Sequence, residues 1–258
     1  MKLSAQERLV LALDVNDFKE AKELVSKLAD YVGVFKIGSQ LFTAEGIKVI
    51  HMINERGGKV LLDLKFHDIP NTVARAAEVV TKLGVYIFTI HTFGGYKMMK
   101  AAAEAAKKTS LALGIRKPLI LGVTLLTSIN QEVLEKEIGI KKRLEEQVVH
   151  LAKLAQTAGL DGVVASPWEI KEIRDTCIDD FIILTPGIRL AGKSLDDQDD
   201  QERIMTPGEA LKFGADFLVV GRPIRKATNS VETAKKILRE MEDGLKNDCQ
   251  NKRSNEKI

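Results

Sequence analysis

Asp63, Lys65 and Asp68 fall within Leu61-Leu62-Asp63-Leu64-Lys65-Phe66-His67-Asp68-Ile69-Pro70-Asn71-Thr72, the densest run of chemically useful side chains in the sequence. If the first part of that segment is a strand, its two-residue period places Asp63 and Lys65 on one face, and the strand end delivers Asp68 into the loop that follows. A carboxylate, an ammonium and a second carboxylate then converge. An ammonium between carboxylates stays protonated, because opposite charge nearby favours the charged form. Held that way it is a pre-positioned acid, suited to protonating a carbanion as it develops. The plainer alternative is a ladder of ion pairs with a structural role only, a use to which ionised groups are poorly suited because each must first be desolvated.

The elements that must position these groups can be read from the hydropathy. Short apolar runs recur at Leu9–Leu13, Val34–Ile37, Val60–Leu64, Ile87–Ile90, Leu119–Val123, Gly162–Ala165, Phe181–Leu184 and Phe217–Val220. Between them lie segments with apolar residues at three- and four-residue spacing, among them Phe18–Leu28, Leu41–Ile53, Thr72–Leu83 and Leu144–Ala158. Eight strand–helix repeats in 258 residues predict an α/β fold, a (β/α)8 TIM barrel in a single domain. A doubly wound open sheet is the competing arrangement, and no Gly-rich first turn supports it. In a barrel, function sits at the C-terminal ends of the strands, and those ends are polar here: Asp14, Lys36, Asp63 with Lys65, His91, Thr127, Arg189 and Arg222. Lys36 would neighbour Asp63, extending the group to a Lys36-Asp63-Lys65-Asp68 row of alternating sign.

Composition sets the outer bounds. The sequence is 45% hydrophobic and 29% charged, with 19 Gly and 6 Pro, which excludes disorder, collagen-like repeats and a disulfide scaffold. The formal charge is +3, of which the segment 246–258 supplies +2. A near-neutral body lacks the basic footprint of nucleic-acid binding. Residues 1–245 are expected to form the catalytic barrel and 246–258 a disordered polar tail. Cys177 and Cys249 are too far apart for a metal or redox motif and suggest reduced thiols and a cytoplasmic protein. No apolar stretch approaches the ~20 residues of a membrane span.

The run Asp63-x-Lys65-x-x-Asp68-Ile69-Pro70-Asn71-Thr72 resembles the signature of the orotidine 5′-phosphate decarboxylase family, in its short microbial form. The resemblance extends through Leu11-Ala12-Leu13-Asp14, Phe35-Lys36-Ile37-Gly38, Val123-Thr124-x-Leu126-Thr127-Ser128, Thr185-Pro186-Gly187-Ile188-Arg189, Asp200-Gln201-x-Arg203 and Val220-Gly221-Arg222, in the family's order. It implies that Lys65 protonates carbon 6 of the pyrimidine as carbon dioxide leaves, with Asp63 against the departing carboxylate. It implies ribose contacts from Lys36 and Asp14, a pyrimidine contact from Thr127, and a phosphate grip from Arg189, Gln201, Gly221 and Arg222. Gln198 is a second candidate for the glutamine, and the spacing to Arg203 favours Gln201. The resemblance further implies orotidine 5′-phosphate and uridine 5′-phosphate as ligands, no metal or organic cofactor, and a homodimer in which Asp68 and Thr72 reach the opposite site.

Three rival readings use the same residues. A magnesium-dependent sugar-phosphate decarboxylase or aldolase shares the D-x-K-x-x-D core, but Ile69-Pro70-Asn71-Thr72 resembles the nucleotide enzyme. A non-catalytic phosphate-binding barrel is the second. Gly187-x-x-x-x-Gly192-Lys193-Ser194 matches the phosphate loop of nucleotide hydrolases, yet the following Leu195-Asp196-Asp197-Gln198-Asp199-Asp200 is acidic where phosphate needs positive potential. His91 is read as a hydrogen-bonded structural histidine and His67 is given no role. Trp168 and Cys177 are expected to pack, and Met98 and Met99 to lie in a helix core.

Overall fold

The structure, a computed structural model, describes residues 3–190 and 205–255, with side chains as far as Lys246. Eight parallel strands close into a barrel in sequence order: β1 Leu9–Ala12, β2 Val34–Gly38, β3 Lys59–Phe66, β4 Ile87–His91, β5 Leu119–Val123, β6 Gly162–Val164, β7 Ile182–Thr185 and β8 Phe217–Val220. β8 returns to β1 through the pairs Leu9–Leu218 and Val10–Val219. The expected TIM barrel is the fold.

Closure buries both faces of the strands along most of their length, so they are largely apolar and alternation sorts their side chains into two cores. Val10, Ala12, Val34, Leu61, Ile87, Leu121, Leu184, Phe217 and Val219 fill the interior. Their neighbours Leu9, Leu11, Phe35, Ile37, Val60, Leu62, Phe88 and Ile90 face outward and pack on helices, for example Ala21, Val25 and Leu28 of the helix Phe18–Leu28 and Val73 and Ala77 of the helix Pro70–Lys82. Met98 and Met99 are buried in the helix Gly95–Leu113.

Three expectations need correction. The segment Leu41–Ile53 is two helices, Ser39–Glu45 and Lys48–Glu55, because the chain turns at Gly46 with φ 59°, a conformation glycine adopts without a Cβ clash. Helical backbone continues through Asn255 in the helix Ser230–Asn255, where a disordered tail was expected after 245. Ala234, Ile237 and Met241 are buried in this helix, so its nucleus is already formed and extension adds one hydrogen bond per residue. Trp168 is 61% exposed rather than packed.

Candidate active site

The interior alternation continues into the mouth of the barrel. Val34 is followed two residues on by Lys36, Leu61 by Asp63, Ile87 by Thr89 and Ala12 by Asp14, so the apolar interior ends in a polar layer. These groups line one cavity of about 550 Å³, together with Lys65. Lys36 Nζ lies 3.2 Å from Asp14 Oδ1 and 3.5 Å from Asp63 Oδ2. Lys65 Nζ donates to Asp63 Oδ2 at 2.9 Å. Thr89 Oγ1 donates to Asp63 Oδ1 at 2.9 Å. The row within one chain is therefore Asp14-Lys36-Asp63-Lys65, and Asp68 does not join it.

Burial alone would raise the Asp63 pKa, but Lys36 and Lys65 beside it, with hydrogen bonds from Lys65 and Thr89, hold it below the usual carboxylate value. Burial alone would lower Lys36, and the charges of Asp63 and Asp14 outweigh that and hold it above its ordinary value. Both groups are charged at neutral pH, and each is the reason the other can be.

Lys65 does not reach Asp63 by strand alternation alone. The β3–β4 pairing runs Leu62 to Phe88 and next Phe66 to Ile90, a register shift that sets Asp63, Leu64 and Lys65 against Thr89. Within that bulge Lys65 has φ 51°, the left-handed region, and among the described residues it is the non-glycine residue found there. Such a conformation costs about 1–3 kcal/mol and persists only where its surroundings over-determine it.

On the far side of the cavity the segments after β7 and β8 contribute Gly187, Arg189, Gly221, Arg222 and Arg225, while Thr127 lines the wall after β5. A Cβ at Gly221 would stand 3.3 Å from the Ala12 Cβ, so a side chain there would crowd the mouth. Cationic groups at this end and the alternating row at the other give the cavity two chemically distinct halves. Gln201, Gln198 and the stretch Gly192-Lys193-Ser194 lie outside the described residues.

A family model described as orotidine 5′-phosphate decarboxylase / HUMPS family matches residues 7–237. The chain belongs to this family. It is 48% identical over 242 residues to the orotidine 5′-phosphate decarboxylase of Moorella thermoacetica, covering 94% of this chain and 95% of the relative. It is 51% identical over 245 residues to that of Syntrophotalea carbinolica, covering 95% and 99% respectively. Among solved structures, the orotidine 5′-phosphate decarboxylase of Lactobacillus acidophilus superposes with a TM-score of 0.80 at 38% identity, covering 90% of this chain and 98% of that one.

Against this family background, Asp68 and Thr72 are set apart from the other candidate residues. Both are exposed, outside the cavity of their own chain, flanking the start of the helix Pro70–Lys82. Asp68 Oδ1 accepts from the backbone N–H of Ile69, whose side chain is 67% exposed. His67 and His91 stack with centroids 5.4 Å apart. His91 Nδ1 accepts from Phe93 N at 3.4 Å, and burial, followed by the charges of His67 and Lys65, pushes its pKa down to about 4. Among the described residues no three His, Cys, Asp or Glu side chains are grouped as a metal site, and no helix is long and apolar enough to cross a membrane.

Sequence reasoning missed two groups. Arg225 lines the cationic end, and its signal was its place three residues after Arg222, on the next turn of the short helix Arg222–Arg225. Thr89 sits under the Asp63 carboxylate; its signal was a hydroxyl at an inward position between the apolar Phe88 and Ile90.

Proposed function

We propose that this chain decarboxylates orotidine 5′-phosphate to uridine 5′-phosphate, a step of pyrimidine biosynthesis, without a metal or organic cofactor and in the cytoplasm. The carrying observation is that Lys65 Nζ, 2.9 Å from Asp63 Oδ2, and the cations Arg189 and Arg222 face the same cavity. The bond from carbon 6 to the carboxylate breaks, carbon dioxide departs, and the electron pair stays on carbon 6. The Lys65 ammonium stabilises that charge and gives it a proton, which solvent later returns to the amine. Asp63 lies against the departing carboxylate, Lys36 and Asp14 hold ribose hydroxyls, and Thr127 contacts the pyrimidine. Arg189, Gln201, Gly221 and Arg222 hold the phosphate, whose binding energy acts remotely on the reacting centre.

The chain works as a homodimer in this reading, with Asp68 and Thr72 serving the opposite site. Their position outside their own cavity and the exposed Ile69 between them support it.

The test follows the ultraviolet absorbance of orotidine 5′-phosphate with enzyme, with and without chelator. Full loss of substrate in chelator is expected. Strict dependence on magnesium would favour a sugar-phosphate enzyme of the same family. The donor set argues against it, because Asp14 and Asp63 already face the Lys36 ammonium and a divalent cation between them would meet that charge.

A further inference from the structure

Thr89 is 1% exposed and sits opposite the bulge of β3, where Asp63, Leu64 and Lys65 face it across the β3–β4 pairing. Its hydroxyl works in two directions. It donates to Asp63 Oδ1 at 2.9 Å, and it accepts from the backbone N–H of Lys65 at 3.0 Å. A hydroxyl has one proton to give, so donation to the carboxylate turns its lone pairs toward Lys65 N. With Oδ1 taken by Thr89, the other oxygen, Oδ2, is the one that faces Lys65 Nζ at 2.9 Å and Lys36 Nζ at 3.5 Å. The same side chain thus fixes the rotation of the carboxylate and anchors the left-handed backbone from which the Lys65 side chain starts.

We propose that Thr89 is a positioning residue for the decarboxylation, its hydroxyl holding Asp63 and Lys65 in their reacting arrangement. This rests on the roles assigned to Lys65 and Asp63 under the proposed function. Thr89 acts through these two groups. Without the hydroxyl, a buried carboxylate oxygen and a backbone N–H both lose their partner and the bulge loses its tie to β4. The lysine can then settle away from the developing carbanion, and small misplacements of a reacting group are costly in rate. Ribose and phosphate contacts are made elsewhere, so ground-state binding is spared.

Thr89→Val keeps the shape and removes the hydroxyl; Thr89→Ser keeps the hydroxyl and removes the methyl. The expected result is a fall in kcat of about 10- to 100-fold for Thr89→Val, with KM and the affinity for uridine 5′-phosphate within about threefold of wild type. Thr89→Ser should retain kcat within about threefold. A second readout follows the acid limb of the pH profile. The groups facing Asp63 are Lys36 from β2, Lys65 on its own strand and Thr89 from β4, with Asp14 behind Lys36. Losing the Thr89 donor moves the acid limb to higher pH in Thr89→Val, and Thr89→Ser restores it. If Thr89→Val does not fold, Thr89→Ala takes its place with the same expectations. A kcat in Thr89→Val within twofold of wild type, while Lys65→Ala is inactive, overturns the proposal and leaves the role of Lys65 standing. Equal damage in Thr89→Ser and Thr89→Val also overturns it, because packing of the methyl is then what matters. Substantial activity in Lys65→Ala instead overturns the underlying reading of the site.

Discussion

Carboxylates at the floor of the barrel hold the strands themselves, whereas those at its mouth hold side chains that face a cavity. Asp161, just before β6, accepts from Lys117 Nζ at 2.7 Å and from the backbone N–H of Ile120 in β5 at 2.8 Å. Asp216, just before β8, accepts from the backbone N–H of Ile183 in β7 at 2.9 Å and pairs with Arg174 and Arg8. At the mouth, Asp63 faces Lys36, Lys65 and Thr89, and Asp14 faces Lys36. Similar residues in ion pairs of similar length therefore do different work. A floor carboxylate staples two strands through the main chain and has little to offer a ligand. A mouth carboxylate orients ammonium groups that remain open to one, in keeping with the division of labour between the two faces of such barrels.

The largest effect expected from breaking this contrast is at Lys65. Lys65→Ala should lower kcat by at least about 10²- to 10⁴-fold through loss of the general acid, with charge stabilisation lost in addition. Its melting temperature, followed by circular dichroism, should move by less than about 4 °C. Retention of more than a tenth of the activity removes Lys65 as proton donor. The same variant tests the shared site. Mixed with inactive Asp68→Ala chains, it should form hybrids carrying one intact site, and activity should recover to about one quarter of wild type. No recovery after verified subunit exchange would assign Asp68 to its own chain's site.

Next comes the cationic end of the mouth. Arg222→Ala should reduce kcat/KM for the nucleotide by about 1.5–3 kcal/mol and leave the dephosphorylated nucleoside little affected. Equal losses for both substrates would contradict a phosphate role.

At the floor the signature reverses. Asp161→Ala leaves the Ile120 N–H and the Lys117 ammonium without their acceptor, which should cost about 1–3 kcal/mol of stability and lower the melting temperature by about 3–10 °C. Its kcat should stay within about twofold of wild type. A stable Asp161→Ala enzyme with a large loss of kcat would erase the distinction between floor and mouth.

The smallest effect is a flat pH response. Asp63 is held below the ordinary aspartate value of 3.8, so its contribution to stability is present above that pH and is lost as pH falls through its folded value. Lys36 is raised above 10.5, so its contribution is complete below that pH and is lost as pH rises through its folded value. In the wild type, an NMR titration of the Asp63 carboxyl should show no step between about pH 5 and 9. A step inside that window would show that the row titrates where both groups are expected to remain charged.

Much of this architecture was legible in the residues alone. The apolar runs mark all eight strands to within two residues at either end, because burial on both faces leaves little room for polar side chains. In a barrel with strands in sequence order β2 lies beside β3, which sets Lys36 at the end of one next to Asp63 of the other. Lys36 and Asp63 could be paired on paper for that reason. Local pattern could not anticipate the turn at Gly46 inside an amphipathic segment, whose apolar spacing is nearly continuous across the break. It also could not tell that Trp168 points to solvent, since exposure depends on what other elements cover.

The mouth itself required the closed structure. From the sequence, the alternating row ran from Lys36 to Asp68; in the fold it runs from Asp14 to Lys65, because the β1–β2 register sets Ala12 beside Lys36 and brings Asp14 to it, while the bulge in β3 precedes an exposed loop that carries Asp68 away from the cavity. Residue types and strand order, which depend on local burial and chain connectivity, were determined by the sequence. The register shift that turns Lys65 to φ 51° and brings Thr89 beneath Asp63 was decided only by the tertiary structure, because it is a relation between two strands with no counterpart in the periodicity of either.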